Sequence, residues 1–147
     1  MPLPAQFDHE KLDAYQLELR FIAWLADLFE ELHIAKPRRV AETLDQLDRA
    51  SLSVLLNIAE GNGRRGSQQR VRFFDDARGS ATECAACLDA LVAKRATSGA
   101  RTAEGKALLV RVVSILSKLI ERFEGSAGDE AARDLSRTRT RTRTTTS

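Results

Sequence analysis

The residues of this 147-residue chain that come closest to a chemical motif run from Gly61 to Gly66. They read G-N-G-R-R-G, the G-x-G-x-x-G spacing with which a dinucleotide-binding loop cradles phosphates. Such a loop must follow a β-strand and open a βαβ unit. Here Leu55 and Ala59 continue a helical series of apolar residues that begins at Leu44, and no second strand follows. The sequence therefore predicts a reversal between two helices, with Gly61 as a left-handed cap, and no nucleotide site.

Two further patterns suggest metal or thiol chemistry. Cys84 and Cys87 form a C-x-x-C, but a closed zinc site needs four ligands and redox pairs lie where a strand meets a helix. Glu30 and His33 form one Glu-x-x-His, whereas a di-iron bundle needs two such units and two more carboxylates. We therefore predict small buried cysteines, no metal, no cofactor and no catalytic residues. The protein is not expected to be an enzyme.

The composition favours a helical protein of the cytoplasm. Hydrophobic residues make up 43% of the chain and aromatic residues 5%. No apolar run reaches the ~18–20 residues of a membrane span, and residues 1–5 lack a signal-peptide pattern. The net charge is +2, yet residues 136–147 carry four arginines and no acid. Without those four, 19 basic groups face 21 acidic ones, so basic character is local.

The first predicted helix, residues 8–32, is apolar on two sides. Apolar residues that follow the helix period form one stripe, which consists of Leu12, Tyr15, Leu19, Ile22, Ala26 and Phe29. A second stripe on nearly the opposite side contains Leu17, Phe21, Trp24 and Leu28. A helix with so little polar surface needs two partners. We therefore predict that one stripe fills the core and that the second, Leu17 to Leu28, is covered by a neighbouring copy.

Three more helices are predicted, at residues 37–60, 67–95 and 102–123, with Pro37 in the first turn of the second helix. Short connections make neighbours antiparallel, so the expected fold is an all-α, up-down-up-down four-helix bundle that oligomerises through helix faces. The glycines and serine of residues 125–128 are expected to end the last helix and with it the bundle domain. The predicted organisation is an N-terminal extension (1–7), the bundle (8–124) and a loosely ordered basic Arg/Thr tail (125–147).

Polar residues on the second and third helices predict an interhelical or intersubunit network. On the second helix, Arg49, Ser53, Asn57 and Glu60 form a polar stripe beside the apolar one. The network is expected to contain Arg49, Asn57, Glu60, Ser80 and Glu83, because charged groups beside small residues in a close helix contact need partners. The alternative is two solvated faces, with Arg72 and Asp76 as an ordinary ion pair one turn apart.

The same residues carry a resemblance to a known family. Asn57-Ile58-Ala59-Glu60-Gly61, together with Gly79-Ser80 and Glu83, resembles the four-helix-bundle proteins encoded in 23S rRNA intervening sequences. The likeness covers about residues 7–123 and extends to the accessory proteins of diversity-generating retroelements. It implies a homo-oligomeric ring, as a pentamer, without known catalysis. The retroelement branch further implies binding to nucleic acid and to a reverse transcriptase. The Arg/Thr tail is not part of the family pattern.

Arginines are expected to gather at the two ends of such a bundle and to contact nucleic-acid phosphates. The predicted phosphate contacts at one end are Arg64, Arg65, Arg70 and Arg72. Those at the opposite end are Arg38, Arg39, Arg95 and Arg101. The function this suggests is an RNA-associated accessory protein whose rim and tail arginines bind phosphates. The alternative is a protein-interaction scaffold that binds no nucleic acid, with its arginines neutralised by nearby acids.

Overall fold

The computed structural model describes residues 7–143, with side chains up to residue 139. A single 3-10 turn, η1 (Asp8–Lys11), precedes four α-helices. These are α1 (Asp13–Ala35), α2 (Ala41–Gly63), α3 (Ser67–Ala93) and α4 (Gly99–Arg143). No strand occurs within residues 7–143, which confirms the all-α class and the four helices. Apart from Phe7, the predicted N-terminal extension lies outside the described residues.

The turns between helices depend on residues other than glycine. Lys36 ends α1 with φ 49°, Arg39 follows with φ 61°, and Arg95 takes φ 62° after α3. These are left-handed conformations that side chains other than glycine adopt uncommonly. Because Lys36 and Arg39 form the first reversal between them, α2 begins only at Ala41. Pro37 therefore lies in the turn, and its predicted place in the first turn of α2 is wrong.

Gly61 is needed for packing, which corrects its predicted role as a left-handed cap. No glycine of residues 7–143 has a positive φ, and α2 continues past Gly61 to Gly63. A Cβ on Gly61 would lie 2.8 Å from the Phe74 ring and 3.1 Å from Phe73 Cβ. The absence of a side chain lets α2 and α3 approach each other beside their turn.

The fourth helix is much longer than predicted. It continues through residues 125–128 to Arg143, so the predicted helix end at Phe123 and the loop after it are wrong. Each glycine inside a helix lowers helix stability by about 1 kcal/mol relative to alanine. The turns on either side of residues 125–128 offset this cost. Ser67 Oγ also donates to Glu130 Oε1 at 3.3 Å, and Ala127 is half-buried. The first turns after Phe123 are therefore attached to the start of α3.

Apolar residues from all four helices form one core. The largest fully buried side chains include Phe21, Phe74, Leu47 and Leu109. Side chains from neighbouring helices contact each other at several levels of the molecule. Ser53 of α2 meets Ser80 of α3, Lys106 of α4 meets Asp89 of α3, and Arg101 of α4 meets Glu31 of α1. This arrangement is a helical bundle.

The structure corrects the orientation of α1. Leu17, Phe21, Trp24 and Leu28, which the sequence assigns to a contact with another copy, lie in the core of the single chain. None of these four side chains is more than 7% exposed. The other stripe faces outward in part, with Leu19 39% exposed. A subunit interface must therefore use residues other than the four that were predicted.

The position of α1 is set by a close contact with α4. The indole ring of Trp24 lies against Gly105, where an added Cβ would collide with three ring carbons. Arg101, one turn earlier in α4, lies over the same ring, with Cζ 5.3 Å from its centroid. Trp24 can therefore be buried only because residue 105 has no side chain.

We predict that Gly105→Ala destabilises the protein, although alanine is the better helix former. The methyl group must displace a buried indole, which costs about 1–3 kcal/mol. Gly79→Ala in the interior of α3 is the matched control, because a Cβ there meets nothing within 4 Å. The control should stabilise the protein by about 0.5–1 kcal/mol. Urea unfolding of both variants measures the difference, and a stabilised Gly105→Ala would contradict the contact.

Candidate nucleic-acid interface

The turn between α2 and α3 brings together several of the predicted phosphate-binding arginines, but two of them are already engaged. Arg64 Nη2 lies 3.0 Å from Glu60 Oε2, and its Cζ is 4.9 Å from the Phe73 ring centroid. Arg70 Nε donates to the backbone carbonyl of Arg64 at 2.5 Å and lies over the Phe123 ring. These contacts hold both side chains against the bundle.

Arg65 and Arg72 at the same end are exposed, and neither forms an ion pair with any described residue. Arg65 lines a groove of about 510 Å³ between the start of α3 and α4, together with the acids Glu130 and Asp134. A phosphate that entered this groove would meet two carboxylates. Arg72 therefore offers the least compensated charge of this cluster.

At the other end of the bundle, Arg101 is fixed to α1. Its Nε donates to both carboxylate oxygens of Glu31, at 3.0 and 2.9 Å, and Nη2 lies 2.8 Å from Oε1. The hydrogen bond from Arg101, and then its charge, lower the pKa of the Glu31 carboxyl. The same hydrogen bond raises the pKa of Arg101. This bidentate ion pair connects α1 to α4. It leaves the guanidinium few free N–H donors with which to bind a phosphate.

Arg38, Arg39 and Arg95 are exposed at this second end, and none of them forms an ion pair with a side chain that the structure describes. Lys94 Nζ donates to the carbonyl of Arg39 at 2.9 Å and to Thr43 Oγ1 at 3.2 Å. These bonds attach the end of α3 to the turn before α2. Three of the predicted phosphate contacts are thus brought together with their charges available.

The predicted polar network lies along the contact between α2 and α3, in two separate parts. In the first, Asn57 Nδ2 donates to Ser53 Oγ at 3.1 Å, and Ser53 Oγ lies 3.0 Å from Ser80 Oγ. The second part contains Arg49 and Glu83 and is joined by Gln46. Gln46 Nε2 donates to Glu83 Oε1 at 2.6 Å, and Gln46 Oε1 accepts from Arg49 Nη2 at 3.0 Å.

Glu60 belongs to neither part, because its carboxylate pairs with Arg64. The predicted pair of Arg72 with Asp76 is not among the ion pairs of the described residues; instead Arg78 pairs with Asp75 at 2.8 Å. The connecting residue Gln46 was not predicted, whereas Ser53 was predicted as a member of the polar stripe on α2. Both stand on the same face of α2 as Arg49 and Asn57, which is the signal that identifies them.

The two cysteines are free and buried. Burial raises the pKa of the Cys84 thiol and of the Cys87 thiol, so neither is a ready nucleophile. Within the part of the chain that the structure describes, no three His, Cys, Asp or Glu residues are grouped so as to hold a metal ion. In the same part, no helix has both the length and the apolar character to cross a bilayer.

A buried carboxyl group in the core was not predicted. Glu18 of α1 has no exposed surface, and neither of its oxygens has a hydrogen-bond partner among the described residues. Burial raises its pKa to about 8, so the group holds a proton at neutral pH. The sequence does contain a signal, because Ala14, Glu18, Phe21 and Leu25 follow the helix period as a row. Glu18 interrupts a row that is otherwise apolar.

These features define a class: an all-helical bundle with arginines at both ends and a polar contact between two of its helices. The model of the 23S rRNA-intervening sequence protein family matches residues 10–119. The chain therefore belongs to the 23S rRNA-intervening sequence protein family, which confirms the resemblance in its motifs. Comparison with curated proteins gives no match, and comparison with solved structures gives none either. The relation to retroelement accessory proteins stays a prediction.

We predict that the stability of this protein falls as the pH rises from 5 to 8, because of Glu18. In the unfolded chain the carboxyl loses its proton near its ordinary pKa of 4.5, whereas in the folded protein it keeps the proton until about pH 8. The unfolded state thus binds fewer protons in this range, and stability falls by roughly 1.4 kcal/mol per pH unit.

Glu18→Gln, which is neutral at every pH, should remove this fall and leave a variant more stable than the parent at pH 8. Urea unfolding at pH 5, 6.5 and 8 measures it. Glu121→Gln is the control, since Glu121 is exposed and its loss should not alter the pH profile. An unchanged profile in Glu18→Gln would show that the carboxyl is not protonated in the folded core.

Proposed function

We propose that this protein is a non-enzymatic, homo-oligomeric RNA-associated accessory protein of the cytoplasm that binds phosphates through arginines. The observation that carries the proposal is the family match to 23S rRNA-intervening sequence proteins, whose name refers to RNA. The exposed arginines at the bundle ends, Arg38, Arg39, Arg72 and Arg95, support it, because none is neutralised by a described acid.

Binding of this kind recognises the RNA backbone and not its bases. Guanidinium groups bind phosphate oxygens and release counterions, which requires no base contact. Stacking of bases would require open aromatic faces near the arginines. Here Phe73 lies under Arg64, and Phe123 lies under both Arg70 and Arg122. The rings at this end are thus covered by the protein's own cations.

The proposed assembly is a pentamer of antiparallel bundles. The antiparallel order is supported by contacts that join the start of one helix to the end of the next, such as Lys94 with Arg39. An outward apolar surface supports the self-association. Leu52 and Leu56 of α2 are 51% and 54% exposed, and Leu19 of α1 is 39% exposed. We place the subunit contact on this α1–α2 surface.

An interaction scaffold without RNA binding is the competing function. Its support is the local neutralisation of Arg64 by Glu60 and of Arg101 by Glu31. If such ion pairs neutralise most of the positive charge at the surface, the arginines serve only to keep the protein soluble.

We predict that the full chain binds a 20-base-pair RNA hairpin and that its affinity falls steeply with salt. Each phosphate contact contributes about −0.9 to the slope of log K against log[salt] for a duplex, so four contacts give a slope near −3.6. Fluorescence anisotropy between 50 and 200 mM KCl measures this slope. Lys106→Gln should keep it, because Lys106 is already paired with Asp89 at 2.6 Å. No binding at 50 mM KCl would favour the scaffold.

We also predict that Leu52→Glu with Leu56→Glu lowers the mass of the assembly in solution. Both side chains are exposed in the single chain, so charges there oppose subunit contact while the fold is kept. Val110→Glu on α4, where Val110 is 65% exposed, is the matched control and should leave the mass unchanged. Light scattering and circular dichroism report mass and helicity. A smaller assembly only in the Val110 variant would place the interface on α4.

A further inference from the structure

The unsatisfied polar atoms of the described core all belong to one helix. Among the described residues, the buried side-chain polar atoms without a hydrogen-bond partner are both carboxyl oxygens of Glu18 and Nε1 of Trp24. Both residues lie on α1. A buried polar group without a partner destabilises the arrangement that buries it, because water would satisfy it. The docking of α1 on the bundle therefore carries a cost that the contacts among α2, α3 and α4 do not.

Within the described core, Glu18 has no charged neighbour that could compensate it. The buried polar side chains that the other helices contribute are Ser51 of α2, Ser67, Cys84 and Cys87 of α3, and Thr102 of α4. Besides burial itself, the charge of Glu18 raises the pKa of the Cys84 thiol, which places these two groups near each other. On α1, the titratable residue one turn before Glu18 is Tyr15. Burial raises the pKa of Glu18 to about 8, so an ionised Glu18 is stabilised by leaving the core.

The polar attachment of α1 to another α-helix lies near its C-terminal end. Arg101 of α4 donates two hydrogen bonds to Glu31 and lies over the Trp24 ring. The other buried residues of α1, apart from Glu18, are apolar. Side-chain bonds that do not involve α1 join α2 to α3 and α3 to α4. The contacts among these three helices therefore do not depend on α1.

The turn that follows α1 is a strained hinge. Lys36 and Arg39 adopt left-handed conformations, with φ 49° and 61°, and such conformations persist only where the surrounding structure holds them. Lys94 of α3 donates to the carbonyl of Arg39 and so fixes the α2 side of the turn. Lys36 adjoins α1 itself, so its strain is relieved when α1 moves.

From these features we propose that α1 is a proton-controlled lid, closed over the core while Glu18 is neutral and released from α2–α4 when Glu18 is ionised. In the released state, water hydrates the carboxylate and accepts a hydrogen bond from the indole N–H of Trp24. The pair of Arg101 with Glu31 is the latch that opposes release. The inference does not depend on RNA binding.

Release of the lid is linked to pH in a defined direction. Glu18 loses its proton near its ordinary pKa of 4.5 when α1 is released, and near 8 when α1 is closed. The released state therefore binds fewer protons between these two values. The equilibrium constant for release should rise about 10-fold per pH unit from pH 5 to pH 8 and level off above that.

The test uses Trp24, the one tryptophan of the full chain, as a probe of the lid. Urea unfolding is followed at pH 5 and pH 8 by Trp24 emission and by far-ultraviolet circular dichroism. At pH 8 the emission transition should come at a lower urea concentration than the main loss of helicity, because α1 separates first. At pH 5 the gap between the two midpoints should narrow. Hydrogen exchange at pH 8 should show residues 17–32 less protected than residues 47–58, by roughly 10-fold or more.

Glu18→Gln should narrow the gap at pH 8 to its width at pH 5, whereas Glu121→Gln, at an exposed position of α4, should leave the gap as in the parent. Glu31→Gln removes the latch without altering the core, so it should lower the emission midpoint and leave the main helicity transition in place. Coincident emission and helicity transitions at pH 8 in the parent would overturn the lid. A gap that is unchanged between pH 5 and pH 8, or equally wide in Glu18→Gln, would overturn its control by a proton.

Discussion

The contact between Trp24 and Gly105 determines which side of α1 faces the core, and much of the molecule follows from it. The α1 helix carries two apolar stripes, so its own sequence permits two rotations about its axis. Only one rotation places the indole against a residue without a side chain on α4. In that rotation Leu17, Phe21 and Leu28 fill the core. In the opposite stripe Leu19 remains at the surface, as do Leu52 and Leu56 of α2.

Much of the fold could be predicted from local patterns, because the helix period is visible within each segment. The rotation of α1 about its axis could not be predicted in this way, since it depends on the contact of Trp24 with Gly105, about eighty residues later in the sequence. Glycine itself is ambiguous in sequence. Gly61 can cap a helix or admit a neighbouring ring, and here it admits Phe74. The left-handed turn positions are occupied by Lys36, Arg39 and Arg95, which carry no local signal for that conformation.

The candidate site shows the same division between local and distant information. The number of arginines and their positions can be taken directly from the sequence. The pairing of Arg64 with Glu60 also follows from their spacing of four residues. The pairing of Arg101 with Glu31 joins residues seventy apart, so the loss of Arg101 as an available cation required the structure. The polar contact of α2 with α3 was readable in part, because its members share one helix face. The hydrogen bonds that Gln46 and Ser53 make across to α3 depend on distances that the sequence does not contain.

Two ion pairs use charge to hold different helices together: Arg101 with Glu31, and Lys106 with Asp89. Charge that is used this way is poorly available for a polyanion, because a phosphate must compete with a carboxylate already in place. Among the described residues, Arg38, Arg39 and Arg95 are exposed at one end of the bundle and form no ion pair. In the proposed assembly each copy supplies one such end. Several ends that bind weakly to one RNA act at high effective concentration, which raises affinity by about 10²–10⁴-fold without any new contact. Self-association of the bundle is then the property that makes a few exposed arginines an effective RNA-binding surface.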